Sequence, residues 1–280
     1  MKHYDIIIIG AGPGGIFAAY ELQKLDPSLK TAVFEAGHSL AQRRCPIDGK
    51  QVKACVNCKT CSIMSGFGGA GAFSDGKYNI TNDFGGTLHE HIGRQQALDL
   101  MKYVDTINMT HGGEGARLFS TAQTKYKKIC MQNGLKLLDA SVRHLGTDLN
   151  HVVLENLYKE LESCVDFYFD TPVQSIAGDE GGYRIFTKEY HCAKCIISVG
   201  RSGSKWMEKI CEEMNIKTMS NRVDIGVRVE LPAVIFSHLT DELYESKIVY
   251  RTKQFEDSVR TFCMNPNGIV VNENTNGIVT

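Results

Sequence analysis

The 280-residue sequence lacks an excess of charge of either sign. Its 31 lysine and arginine residues nearly balance 32 aspartate and glutamate residues, so the formal net charge is −1. Proteins that bind nucleic acid through its phosphate backbone need a basic patch. The composition gives no indication of a nucleic-acid partner, and we expect a small-molecule substrate instead.

The sequence also lacks long apolar runs. The N-terminal isoleucine run covers only residues 6–9, which is too short for a signal peptide or a membrane-spanning helix. We therefore expect a cytoplasmic protein with no membrane partner, in a compartment that keeps thiols reduced. The ten cysteines are then expected to be thiols, metal ligands or transient redox pairs rather than a disulfide framework.

The pattern of the first 35 residues is typical of a strand, a tight turn, a helix and a second strand. The run at 6–9 suits a parallel strand buried on both faces, with a helix over about 14–25 and a strand over 31–34. Further helices are predicted near 87–103, 115–133 and 149–164. Further strands are predicted in 165–176, 183–188, 192–200, 223–232 and 269–280.

This order of elements predicts an α/β protein with a Rossmann-like fold, in which a parallel central sheet carries a helical insert. The first domain is predicted over residues 1–205, with a loop rich in cysteine and glycine at 45–86 and the insert at 87–164. Residues 206–280 are predicted to form part of a second, α+β substrate domain.

A glycine fingerprint lies between the first strand and the first helix. Gly10 permits a sharp turn, Gly12 permits close approach of a pyrophosphate to the helix N-terminus, and Gly15 permits close packing of helix and strand. Gly14 belongs to the same turn. Glu35 ends the second strand, where a carboxylate binds the ribose hydroxyls of an adenosine. These residues predict a dinucleotide site without a 2′-phosphate.

Two arginines follow Glu35. Arg44, together with Arg43, is a candidate to neutralise the pyrophosphate or a substrate carboxylate. The alternative is that both guanidinium groups are solvated.

The fingerprint resembles that of large flavoproteins with two dinucleotide domains, in which the first βαβ unit holds the ADP half of FAD. "FDTPVQSI" is similar to their strand whose valine backbone meets the adenine, which implies Val173 here. "IISVGRSG" is similar to their strand-to-glycine turn beside the flavin, which implies Gly200.

Five segments together resemble a bacterial and archaeal family of FAD-dependent dehydrogenases: "RCPI", "CVNCKTCSIMSGFGGAGAFSDGKYNI", "RHLGTD", "VDIGVRVELP" and "VRTFCMNPNGIVV". The resemblance implies an FAD-dependent oxidoreductase of unknown substrate, with NAD(P)H as a possible electron donor. Family members are longer and carry a C-terminal Gly-Asp segment that contacts FAD. We therefore expect an N-terminal part of such an enzyme, or a homodimer. The alternative function is a catalytically incomplete dinucleotide-binding module.

Four cysteines, Cys45, Cys55, Cys58 and Cys61, follow the spacing C-x9-C-x2-C-x2-C. Such thiolates hold a [4Fe–4S] cluster in some proteins and a structural zinc ion in others. The other two interpretations are a redox disulfide next to the flavin and thiols without a shared role. The sequence favours a metal centre and does not distinguish zinc from iron.

Overall fold

The computed structural model describes residues 1–185, 189–220 and 223–270, together with the backbone of residues 274–275 and 278–279. The strands are β1 (Lys2–Ile9), β2 (Thr31–Phe34), β3 (Lys77–Ile80), β4 (Leu118–Ser120), β5 (Leu135–Leu137), β6 (Ser141–His144), β7 (Val165–Tyr168), β8 (Ile176–Asp179), β9 (Gly182–Ile185), β10 (Tyr190–Ile197), β11 (Ile248–Arg251), β12 (Ser258–Arg260), β13 (Asn274–Thr275) and β14 (Ile278–Val279).

The α-helices are α1 (Pro13–Leu25), α2 (Leu88–Ile92), α3 (Arg94–Asn108), α4 (Tyr126–Gln132), α5 (Gly146–Leu161), α6 (Ser204–Glu213) and α7 (Ala233–Leu243). Short 3₁₀ turns cover Leu40–Gln42, Gly69–Phe73 and Arg201–Gly203, and a π turn covers Met109–Gly113. Within the described residues, no helix combines the length and the apolar character needed to cross a membrane.

Contacts divide the chain into two units, one comprising residues 1–75 and 147–222 and the other residues 76–146 and 223–280. The units interleave along the chain, whereas the division predicted from the sequence is contiguous with its boundary at residue 205. The predicted insert at 87–164 is also divided, because α5 belongs to the first unit.

The first unit is built on a six-stranded sheet in the order β7-β2-β1-β10-β9-β8. The pairs β1–β2, β2–β7 and β1–β10 are parallel, and β9 pairs antiparallel with β8 and β10. Helix α1 connects the parallel neighbours β1 and β2, which makes the βαβ unit of a Rossmann fold. The α/β class with a parallel central sheet is therefore confirmed.

Burial explains why these segments form the centre of the sheet. Strand β2 is buried along its whole length, and Ile7 and Ile8 of β1 are completely buried. Phe34, Ile185 and Cys192 join Ile7 in one apolar cluster of the sheet. Residues that are apolar on both faces fit only a strand that is covered on both faces.

The second unit has an α+β composition with antiparallel sheets in the orders β3-β6-β4 and β12-β11-β5, and the short hairpin β13-β14. One apolar cluster joins α4, β5 and α7 through Tyr126, Cys130, Leu137, Leu239 and Leu243.

Two predictions for this unit are wrong. Residues 115–133 were expected to be one helix, but 118–120 form β4 and only Tyr126–Gln132 is helical, because pairing of β4 with β6 overrides local helical preference. The strand predicted at 223–232 has no regular structure. Within the strand predicted at 269–280, the described backbone forms the two short antiparallel strands β13 and β14. Residues 271–273, 276–277 and 280 lie outside the described residues, as does the 186–188 part of the strand predicted at 183–188.

Candidate dinucleotide-binding site

The turn after β1 requires glycine at two positions. Gly10 has φ of +101°, and a Cβ placed there would lie 2.4 Å from the carbonyl oxygen of Ser198. A Cβ placed on Gly15 would lie 1.9 Å from the carbonyl oxygen of Gly10. Side chains at either position would separate α1 and the end of β10 from β1. This is the packing role that the sequence predicted for Gly15, and it extends to Gly10.

Gly12 differs from these two glycines, because a Cβ placed on it would meet nothing nearer than the Cα of Gly69, at 4.0 Å. Gly12 is the N-cap of α1, forms no side-chain cap, and is followed by Pro13 at the first helical position. The first turn carries no acidic residue, and Gly14 is exposed. The helix therefore presents unsatisfied main-chain N–H groups and its positive dipole end at an open surface, which is a site for an anion.

Glu35 lies at the end of β2 and is 7% exposed. Its Oε2 accepts the N–H of Ala11 at 2.8 Å. Its Oε1 accepts the N–H groups of Gly37 and Gly66, each at 2.9 Å. The carboxylate thus connects the glycine turn, the end of β2 and the glycine-rich loop. A carboxylate accepts about four hydrogen bonds, so these three main-chain donors leave one acceptor position of Glu35 unused.

Glu35 accepts hydrogen bonds from main-chain N–H groups, and Arg43 donates hydrogen bonds to main-chain carbonyl groups. It is buried, and its guanidinium donates to Ser62 (2.8 Å), Ile63 (2.6 Å), Phe67 (2.6 Å) and Gly69 (2.8 Å). Burial lowers the pKa of Arg43 to about 10, so the group remains a cation at neutral pH. A cation that donates to four carbonyls fixes the course of the loop from 62 to 69.

The glycine-rich loop lies directly against the fingerprint. The N–H of Gly68 donates to the carbonyl of Ala11 at 2.8 Å, and a Cβ on Gly69 would lie 3.1 Å from the Cα of Gly12. Asn150 of α5 donates to the carbonyl of Gly71 at 2.8 Å. The glycine-rich loop is therefore part of the wall of the opening at Gly12.

The remaining predicted cofactor residues fall into two groups. Val173 packs its side chain into the apolar cluster of the sheet, and neither of its main-chain groups bonds to another main-chain group within the described residues. A Cβ on Gly200 would meet nothing within 4 Å. Within the described residues, the main-chain groups of Val173 and the N–H of Gly200 are available to a ligand, whereas the carbonyl of Gly200 accepts the N–H of Gly203 at 2.9 Å. Arg44, by contrast, is exposed, and the buried neighbour Arg43 makes the contacts.

The predicted metal centre has no support in this geometry. Cys45, Cys55, Cys58 and Cys61 are all free and exposed. Among the residues that the structure describes, which include these four, no three His, Cys, Asp or Glu side chains are placed to hold a metal ion. The two x2 spacings keep the cysteines close in sequence, but the loop does not bring their side chains together as ligands.

A separate site for NAD(P)H also has no support. In the described part of the chain, parallel strand pairs occur only in the sheet that contains β1, and the other sheets are antiparallel. Outside the sheet that contains β1, the described strands therefore form no βαβ unit, which is the unit that would offer a helix N-terminus to a second dinucleotide.

Sequence reasoning missed two contributors to the site. Ser198 packs against the turn. A Cβ on Gly14 would lie 2.5 Å from Oγ of Ser198, and the N–H of Ser198 donates to the carbonyl of Ile9. Arg43 was considered only as a ligand or a solvated side chain. No local signal distinguishes Arg43 from Arg44, because the acceptors of Arg43 lie 19 to 26 residues further along the chain.

Comparison with known proteins gives neither a family nor a curated relative: no family profile and no curated protein matches the chain. Solved structures do resemble it. Glycine oxidase from Geobacillus kaustophilus has a TM-score of 0.43 and 14% identity over 77% of this chain and 59% of its own. L-α-glycerophosphate oxidase from Mycoplasma pneumoniae, a structure with FAD bound, has a TM-score of 0.41 and 14% identity over 75% and 57%.

NikD, described as an unusual amino acid oxidase essential for nikkomycin biosynthesis, has a TM-score of 0.42 and 11% identity over 76% of this chain and 54% of its own. The chain thus spans between 54% and 59% of the length of these three proteins. Similarities of this size assign neither a fold nor an activity, so the proposals below rest on the chain's own residues.

Proposed function

We propose that this chain is the FAD-binding part of an oxidoreductase that acts on a small molecule. The observation that carries the proposal is the uncapped, open N-terminus of α1 at Gly12, formed by a glycine turn that Gly10 and Gly15 close by backbone contact. An anionic pyrophosphate is the ligand that such a terminus binds best.

The residues around this opening fit a dinucleotide. The main-chain N–H groups at the start of α1 would hold the pyrophosphate, and the remaining acceptor position of Glu35 would hold a ribose hydroxyl. The main chain of Val173 would face the adenine, and Gly200 would leave room on the flavin side. FAD, when bound, supplies hydride or electron transfer. The protein supplies binding and orientation.

The proposal is tested by the cofactor content of the purified protein and by titration with FAD and ADP. We expect a flavin absorption spectrum and binding of both nucleotides by calorimetry. Gly12→Val should abolish binding without unfolding the protein, because its Cβ meets no protein atom closer than 4.0 Å but occupies the space of the pyrophosphate.

The matched control is Gly178→Val, which adds the same side chain at an exposed position of strand β8, where a Cβ meets nothing within 4 Å. Its nucleotide affinity should equal that of the wild type. Unchanged FAD and ADP affinity in a folded Gly12→Val protein would show that the dinucleotide assignment is wrong.

The alternative function is a dinucleotide-binding module without turnover. One observation favours it: Glu35 and Arg43, the buried charged side chains next to the turn, direct their described hydrogen bonds to main-chain groups. Anaerobic bleaching of bound flavin by a panel of small metabolites supports the enzyme. Flavin that binds and is reduced by dithionite, but by no metabolite, supports the module.

A further inference from the structure

One segment of the second unit has the sequence pattern of a strand but does not form one in the described structure. Residues 223–231, "VDIGVRVEL", alternate apolar and mostly polar positions, as a strand with one covered face does. The apolar positions are instead largely exposed: Val223 81%, Ile225 96%, Val227 88%, Val229 66% and Leu231 46%. An exposed apolar stripe of this kind marks an interaction surface.

The backbone of this segment is also open. Within the described residues, none of its N–H or C=O groups bonds to another main-chain group. Its described contacts come from the polar positions: Arg260 donates to Oδ2 of Asp224 at 2.6 Å, and Oε2 of Glu230 accepts the N–H of Val270 at 3.0 Å. In the described structure these two polar side chains hold the segment, while its main chain and its apolar side chains are accessible to a partner strand.

We propose that residues 223–229 of this segment pair antiparallel with the same residues of a second copy of this chain, with Gly226 on the twofold axis. In this register Asp224 faces the partner's Arg228 and Arg228 faces the partner's Asp224, so two ion pairs form. Val223 then faces the partner's Val229, and Ile225 faces the partner's Val227. The apolar stripes of both copies lie on one face of the new two-stranded ribbon.

Charge selects this register over its neighbours. Centring on Val227 would place Asp224 opposite the partner's Glu230, and centring on Arg228 would place that arginine opposite itself. Registers with the axis between two residues would place apolar side chains opposite polar ones, because side chains alternate with a period of two. Like charges that face each other across strands destabilise a pair. Centring on Val229 would place Arg228 opposite the partner's Glu230, but only residues 227–231 would then overlap. Gly226 is the centre that pairs opposite charges over the longer overlap, residues 223–229.

The register is tested by charge reversal, with mass in solution as the readout. The monomer mass is 31.1 kDa, and we expect the wild type to sediment with twice that mass. Arg228→Asp and Asp224→Arg each place like charges opposite each other twice, so each should weaken self-association by roughly tenfold or more. Mixing the two variants restores both ion pairs and should give a heterodimer. Lys253→Asp, the same change of charge type at an exposed turn, should leave the dimer intact.

A second measurement does not depend on charge or on the folding of the Asp224 variant. Gly226→Cys places two thiols across the twofold axis, where directly opposite Cα atoms lie about 4.5–5.5 Å apart and a disulfide forms readily. Peptide mapping should identify a 226–226 crosslink, and Gly178→Cys should give no corresponding 178–178 crosslink. A monomeric wild type, association that ignores charge reversal, or the absence of the 226–226 crosslink would each overturn the proposal.

Discussion

Two runs rich in β-branched residues differ in burial and in strand pairing. The isoleucines of β1 include Ile7 and Ile8, which are completely buried, whereas Ile225 and Val227 of the 223–231 segment are 96% and 88% exposed. Strand β1 is paired in parallel with β2 on one side and β10 on the other. The 223–231 segment has no main-chain partner in the described part of the chain. A segment with a preference for β structure therefore forms a strand only where the fold places neighbouring strands and a covering layer beside it.

The largest expected difference between the two regions concerns their glycines. Gly15→Val should unfold the first unit, at a cost of more than about 4 kcal/mol, because even a Cβ would lie 1.9 Å from the carbonyl oxygen of Gly10. Gly226→Val should change the free energy of unfolding by less than about 0.5 kcal/mol, since a Cβ there meets nothing within 4 Å. Urea denaturation followed by circular dichroism measures both. Equal costs would remove the contrast.

The next difference concerns apolar side chains. Ile8→Ala should destabilise the protein by about 2–5 kcal/mol, through lost burial and the cavity that remains. Val227→Ala removes methyl groups that are already in water and should change stability by less than about 0.5 kcal/mol. Both variants are compared in the same denaturation assay at a concentration low enough to keep the protein monomeric. A cost above about 1 kcal/mol for Val227→Ala would mean that the segment is covered within a single chain.

The smallest difference concerns two carboxylates that accept main-chain N–H groups. Glu35 is buried and accepts three, whereas Glu230 is exposed and accepts one. Glu35→Gln should cost about 1–3 kcal/mol, because an amide group turns an N–H donor toward buried N–H donors and the charge is lost. Glu230→Gln should cost less than about 0.5 kcal/mol. Thermal unfolding resolves the two values, and a Glu35→Gln protein as stable as the wild type would contradict the role assigned to Glu35.

The part of the site that was predictable from sequence is the part with local causes. Gly10, Gly12 and Gly15 are separated by a few residues, and the turn geometry that they permit follows from their spacing. The bonds that hold the wall of the opening join residues far apart in sequence, such as Glu35 to Gly66 and Arg43 to Gly69. No pattern in one sequence specifies those pairs, which is why Arg44 was chosen as a candidate and the role of Arg43 was not recognised.

The cysteine loop illustrates the same limit. Spacing places Cys55, Cys58 and Cys61 near one another along the chain, but a metal site also needs side chains that converge at the distances of metal–ligand bonds. The described loop does not bring them together. Close spacing is a local property, and convergence depends on how the loop is held by the rest of the fold.

By itself, the sequence determined the α/β class, the strand-turn-helix-strand unit at the N-terminus and the need for glycine in its turn, because alternation, hydrophobic runs and backbone freedom act over a few residues. Only the tertiary structure decided the remainder. It assigned α5 to the first unit, converted part of a predicted helix into β4, buried Arg43 but not Arg44, and gave 223–231 no partner strand among the described residues. Each of these outcomes depends on contacts between residues far apart in sequence. The free energy of those contacts cannot be read from a local stretch of the chain.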